Sequence, residues 1–234
     1  MFYNLLYMVC IDPQSMKIFV IHYKKLTNRK EHIIRQFNTH NIQDYEFIEI
    51  DRDELTIENM NKFEGIQRSN KAGMAISLSH YYAYKEITDK YDNALILEDD
   101  VIFSDNFMES LSKYLTQLPE DYDMLFIGDG CNLHIKNDML VPGKYIYERG
   151  IHATNWGGGG ATRCCDSYIV SKKCAKQMTE YVSNLNNKIT ECAIDWWLNN
   201  NARYNEFKVY WAEPTIVTQG SQNGLYQTMT FELA

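Results

Sequence analysis

Apolar residues follow two rhythms along this chain, and their alternation predicts its elements. A β-branched and aromatic run, KIFVIHY (17–23), reads as a buried strand. In the segment after it, residues 24–40, Ile33, Ile34 and Phe37 stand at helical spacing, with Thr27 or Asn28 as the N-cap. YEFIEID (45–51) is a second strand candidate, and the polar stretch around Gly65 is loop or short helix. From Gly73 onward, Met74, Leu78, Tyr81 and Tyr82 recur at i, i+4, i+7 and i+8, which predicts a helix packed on a sheet. Ala94 to Leu97 is a continuous apolar strand that terminates in Glu98, Asp99 and Asp100. The order strand, helix, strand, helix, strand belongs to an α/β fold with a central, mostly parallel sheet flanked by helices.

The second half is more mixed. Residues 106–118 read as a helix stopped near Pro119, and 122–128 as a buried strand ending in a glycine turn. A strand-poor stretch follows. NWGGGG (155–160) then runs toward a strand at Ser167 to Val170, a helix over 172–185 with Ala175, Met178 and Val182 inward, a short helix at AIDWWLNNN and a closing extended segment.

Composition narrows the function. The 234 residues carry 31 acidic and 23 basic side chains, a formal charge of -8, so a general nucleic-acid binder is excluded on charge. No run of eighteen apolar residues is present to cross a membrane. Residues 1–15 are apolar for the first ten positions but lack a basic start and a small-residue cleavage pattern, so they read as an N-terminal extension and 16–234 as a single domain. Six cysteines include no C-x-x-C, and their spacing fits no zinc pattern. They read as mostly free thiols of a reducing, cytoplasmic compartment, with room for one disulfide.

Chemistry concentrates at Glu98-Asp99-Asp100. Carboxylates at the C-terminal end of a central strand face the crevice where open α/β sheets bind ligands. Mg²⁺ or Mn²⁺ typically joins one or two such carboxylates to substrate phosphate oxygens. The same acids could instead form a solvated turn or a helix cap.

Taken with their surroundings, these residues resemble a known family. KIFVIHYKKLTNRKEHI, GMAISLSHYYAYKEI, ALILEDDVIF, YDMLFIG, SYIVSKKCAKQM, IDWWL and EPTIVTQGSQNG are similar, in order, to the blocks of glycosyltransferase family 25, which includes lipooligosaccharide glycosyltransferases and collagen hydroxylysine glycosyltransferases. The resemblance implies a GT-A-type, Rossmann-like fold and an inverting transfer of galactose or glucose from UDP-galactose or UDP-glucose with Mn²⁺ (or Mg²⁺). It also implies a hydroxyl acceptor on a lipooligosaccharide sugar or on collagen-like hydroxylysine or galactosyl-hydroxylysine.

Carried over by position, the resemblance assigns donor binding to Val20, His22, Arg29, Gly73, Ser79, His80, Glu98 and Asp99. Asp100 becomes the metal ligand with Glu98 in its shell, and Asp195 the base that takes the acceptor proton. Read from the residues themselves, Trp156 and Trp196 are candidate acceptor contacts, and the glycines after Trp156 form either a loop that closes over donor or acceptor or a plain flexible connection. His22 and Lys30 depart from the family pattern of asparagine and arginine. Each assignment has a plainer counterpart: Arg29 or Asp195 as helix caps, His22 or His80 as satisfied core histidines, and one of Trp196 and Trp197 as core filler. A metal-dependent nucleotidyl- or phosphotransferase and a non-catalytic sugar-binding family member are the rival functions.

Overall fold

The computed structural model describes residues 11–64, 70–130, 132–149 and 161–227. Within them the chain order is β1 (Lys17–Ile21), α1 (Thr27–Thr39), β2 (Tyr45–Ile48), α2 (Ile57–Asn61), α3 (Lys71–Lys90), β3 (Asn93–Glu98), β4 (Val101–Phe103), α4 (Phe107–Leu115) and β5 (Met124–Phe126). It continues through β6 (Ile146–Arg149), β7 (Ser167–Ser171), α5 (Lys172–Asn184), α6 (Ile194–Asn205), β8 (Val209–Ala212) and β9 (Val217–Gln219). A seven-stranded sheet has the order β2-β1-β3-β7-β5-β8-β6, and β4 pairs with β9 in a small second sheet. Strands β2, β1, β3, β5 and β8 share one direction, while β7 and β6 run against it.

The apolar runs form strands because both faces of this sheet are covered. Successive side chains of a strand alternate between faces. Phe19, Ile21, Ala94 and Ile96 therefore join the core under α3, α5 and α6. Ile18, Val20, Leu95 and Leu97 join the core under α1 and α4. Ile33 and Phe37 of α1 are buried in that second core. Ala175, Met178 and Val182 of α5 are buried in the first.

Four expectations change. α1 is capped at Leu26, with no side-chain hydrogen bond, so Thr27 and Asn28 lie inside the first turn rather than at the cap. α3 begins two residues before Gly73, where Asn70 Oδ1 accepts the Gly73 N–H at 2.9 Å. On α3 Tyr82 is exposed, and Tyr84 and Ile87 are buried in its place, because the helix packs against α5 and α6 as well as the sheet. The stretch expected to lack strands contains β6, antiparallel to β8 at the sheet edge.

Candidate functional site

Glu98 ends β3 beside Ile21, the last residue of β1, so the acidic triplet stands at the carboxyl edge of the parallel strands. A cleft of about 170 Å³ opens there. Six of the expected residues line it: His22, Arg29, Ser79, Glu98, Asp99 and Asp100, together with Tyr23, Arg52 and Gln219.

The three acids are held differently. Asp99 Oδ2 meets His22 Nδ1 at 2.8 Å and accepts the Tyr23 N–H at 3.3 Å, and its Oδ1 accepts Arg29 Nη1 at 2.8 Å. Asp99 is thus a tether between the triplet, the end of β1 and helix α1. Arg29 also donates Nη2 to the Gln227 carbonyl at 2.6 Å and lies over the Tyr226 ring, which ties those two residues to α1. Asp100 is wrapped by the turn after β9: its carbonyl accepts Gly220 N–H at 2.7 Å, and Oδ2 accepts Ser221 N–H at 3.2 Å. Its Oδ1 is buried with no partner.

A fourth acid enters from a place the sequence does not advertise. Because β7 runs antiparallel to β3, the residue before its first strand position, Asp166, arrives at the same carboxyl edge, where its carbonyl accepts the Glu98 N–H at 2.8 Å. Asp166 is wholly buried, accepts from Ser167 Oγ with Oδ2, and leaves Oδ1 unpartnered among the described residues. Gly128, just past β5, makes room for it. A Cβ there would sit 1.9 Å from Asp166 Oδ2, so no other residue fits without displacing the acid.

Burial, then the charges of Asp100, Asp166, Asp99 and Asp195, pushes Glu98 well above the usual carboxylate range. Burial foremost takes Asp166 up to about 8. Burial likewise raises Asp195 on the first turn of α6, against a hydrogen bond from Trp196 N–H to its Oδ1 at 2.9 Å. These carboxyl groups retain protons in the fold that the unfolded chain, near 3.8 for aspartate, has released. Stability from Asp166 therefore declines as pH rises from about 4 to about 8 and is level above that window. Calorimetry in chelator should show Asp166→Asn gaining on the wild type between pH 5 and 8. A constant difference between the two would overturn this.

Crowded, desolvated acids with orphaned oxygens fit a hard divalent cation. Among the described residues no three His, Cys, Asp or Glu side chains are grouped so as to hold an ion alone. The fit is therefore to an ion bound by one or two carboxylates and completed by oxygens of a ligand.

Other expected residues lie elsewhere. Val20 is fully buried in the core under α1, away from the cleft. His80 is fully buried, its Nδ1 2.7 Å from the Tyr168 hydroxyl, and burial lowers it to about 3, so it is a neutral core residue. Ser79 lines the cleft but returns its hydroxyl to the Ala75 carbonyl at 2.9 Å. Gly73 packs against the segment leading into α6. The N-cap of α6 is Ala193, so Asp195 does not occupy the cap position. Trp197 is buried against Tyr84, while Trp196 is half-buried. Trp156 and the glycines after it lie outside the described residues.

From Ala161 onward the chain is firmly held. Asn199 Oδ1 accepts the N–H groups of Ala161 and Thr162, at 2.8 and 3.1 Å. Buried Arg163 pairs with Glu213, donates to the Ala212 carbonyl at 2.9 Å, and stacks on Trp211. Neither anchor has a sequence signature, since each depends on a contact between distant strands and helices. Of the described cysteines, Cys165 and Cys174 are free thiols buried in the core. No helix among the described residues is long and apolar enough to cross a membrane.

The chain is 33% identical over 144 residues to the putative glycosyltransferase R655 of Acanthamoeba polyphaga mimivirus, covering 58% of this chain and 43% of that protein. It is 26% identical over 124 residues to the procollagen lysyl hydroxylase and glycosyltransferase of the same virus, covering 47% of this chain and 12% of that protein. The chain thus spans less than half the length of these curated relatives. Among solved structures, a glycosyltransferase involved in the glycosylation of the major capsid of PBCV-1 superposes with a TM-score of 0.51 at 12% identity, covering 92% of this chain and 94% of that one. That likeness gives the fold, which is GT-A. The family model for glycosyltransferase family 25, described as an LPS biosynthesis protein, matches residues 15–197, and the chain belongs to that family.

Proposed function

We propose that this glycosyltransferase moves galactose or glucose, with inversion, from UDP-galactose or UDP-glucose to a hydroxyl group. The observation that carries the reading is the pairing of Asp100, whose buried Oδ1 has no partner, with Glu98 at the mouth of a cleft that also contains Arg29. Mn²⁺, or Mg²⁺, held there would offset the charge of the departing diphosphate. His22 and Arg29 fix Asp99, and through it the backbone of the triplet, so that Glu98 and Asp100 keep their places. Asp195, close enough to raise Glu98 by its charge, takes the proton of the acceptor hydroxyl as that oxygen attacks the sugar. Its raised proton affinity suits a base, because a stronger base removes a hydroxyl proton more readily. Trp196, half-buried next to it, offers a face for a sugar ring.

For the acceptor, the crowded carboxyls favour a cationic group, whose approach draws buried Glu98 and Asp166 toward their ionised forms. The guanidinium of Arg29 is bonded to Asp99 and that of Arg163 to Glu213, whereas Glu98, Asp100, Asp166 and Asp195 have no cationic partner among the described residues. Hydroxylysine carries an ammonium one carbon from its hydroxyl, so it complements this site better than a phosphate-bearing lipooligosaccharide terminus does.

The test is UDP release from UDP-galactose and UDP-glucose, with Mn²⁺, Mg²⁺ or chelator. The acceptors are a hydroxylysine peptide, a galactosyl-hydroxylysine peptide and a lipooligosaccharide oligosaccharide. Cation-dependent UDP release with a β-linked product on a hydroxylysine peptide is expected. Transfer that persists in chelator would remove the metal assignment, and transfer only to the oligosaccharide would remove the collagen-like acceptor.

A further inference from the structure

Buried serines in helices usually return their hydroxyl to a carbonyl one turn back, as Ser79 does on Ala75. Ser77, one residue pair earlier on α3 and wholly buried, does not. Its Oγ crosses to another segment and donates to the Cys192 carbonyl at 3.0 Å. Gly73, one turn before Ser77, faces the same carbonyl: a Cβ on it would lie 2.8 Å from the Cys192 oxygen. Asn70 completes the grip, with Nδ2 3.8 Å from the Cys192 sulfur and Oδ1 on the Gly73 N–H.

What this grip fixes is the start of α6. The N-cap residue, Ala193, offers no side-chain hydrogen bond; Glu191 Oε1 accepts the N–H groups of Cys192 and Ala193 at 3.1 and 3.4 Å, and the Cys192 carbonyl is held from α3 by Ser77. Asp195 stands three residues after Cys192, on the first turn. We infer that Ser77, seated by the absence of a side chain at Gly73, is a positioning residue that sets where the Asp195 carboxylate stands over the acceptor hydroxyl. This rests on the reading of Asp195 as the base. The geometry supplies the reason for a glycine and a serine at a spacing of four on the face of α3 that meets the segment entering α6. The glycine lets the two segments touch, and the serine locks the register of that contact.

The consequence is a loss in turnover with donor binding unchanged, because misplacing a base by a fraction of an ångström penalises the chemical step alone. Ser77→Ala should lower kcat about ten- to a hundredfold while the KM for UDP-sugar stays within about twofold. Gly73→Ala should do the same by pushing the Cys192 carbonyl away, and Ser77→Thr, which keeps the hydroxyl, should recover most of the loss. In a double-mutant cycle, Ser77→Ala should cost nothing further in the Asp195→Asn protein, since a positioning group has no effect once the group it positions is gone. A merely structural serine would give losses that multiply. Multiplying losses, or a Ser77→Ala enzyme with wild-type kcat beside an inactive Asp195→Asn enzyme, would overturn the positioning role alone. An Asp195→Asn enzyme with wild-type kcat would instead overturn the base on which the inference rests.

Discussion

Asp195→Asn should bind UDP-sugar and cation as the wild type does and transfer sugar roughly a thousandfold more slowly, within the range a general base contributes. The substitution isolates the proton-accepting role. Asparagine has the same shape, and its carbonyl oxygen can still accept the Trp196 N–H that Asp195 Oδ1 accepts at 2.9 Å, so the first turn of α6 is retained. Burial of the carboxyl is relieved by the neutral amide, so the fold should be no less stable. The bonds that hold Asp99 and Asp100 come from His22, Tyr23, Arg29, Gly220 and Ser221, not from Asp195. Isothermal titration of UDP with Mn²⁺ should therefore give an unchanged affinity while UDP release with acceptor collapses. Turnover at the wild-type rate would assign the proton to another group, and Glu98 would be the next to examine because Asp195 is one of the charges raising it.

How far the sequence reveals such a site depends on whether a residue acts through its own segment or through a distant one. Lys17–Ile21 and Asn93–Glu98 are legible because strands covered on both faces are apolar without interruption, and their carboxyl ends mark the crevice. The acidic triplet follows from that placement, while His22 and Arg29 enter through the family resemblance. What their side chains do there follows from neither, since only the packing of α1 against the end of β1 shows that Asp99 is held by both basic groups. β6 is hidden because an edge strand of four residues, IYER, has too little apolar content to stand out from loop. Asp166 is hidden for a topological reason. In sequence it precedes a strand, and acids before strands are ordinary turn residues. Only the antiparallel direction of β7 brings that turn to the ligand edge. Tyr82 misleads because a period of 3.6 gives the direction of a helix's buried stripe but not its width, and α5 and α6 shift the buried arc of α3 toward Tyr84 and Ile87.

Asp100→Asn tests the other half of the site, where the effect should be on binding. Asparagine can keep one oxygen for the Ser221 N–H, and the main-chain bond from Gly220 N–H to the residue-100 carbonyl is untouched, so the turn that wraps this residue survives. What disappears is a full negative charge at a carboxylate whose Oδ1 is buried with no donor. Hard cations depend on that charge, and loss of groups that only support metal ligands already costs ten- to a hundredfold in affinity. A direct ligand should cost at least roughly a hundredfold. Mn²⁺ binding in the presence of UDP, followed by the loss of the free-ion signal in electron paramagnetic resonance, should weaken by that factor, and transfer should fall below detection at micromolar Mn²⁺. Loss of the charge also removes one of the groups that raise Glu98 and Asp166, so both carboxyls should titrate at lower pH in the variant. Unaltered Mn²⁺ affinity would mean that the ion, if bound, is held without Asp100. The unpartnered oxygen would then need a hydrogen-bond donor from the substrate instead, and the two outcomes separate on whether UDP affinity remains dependent on the cation.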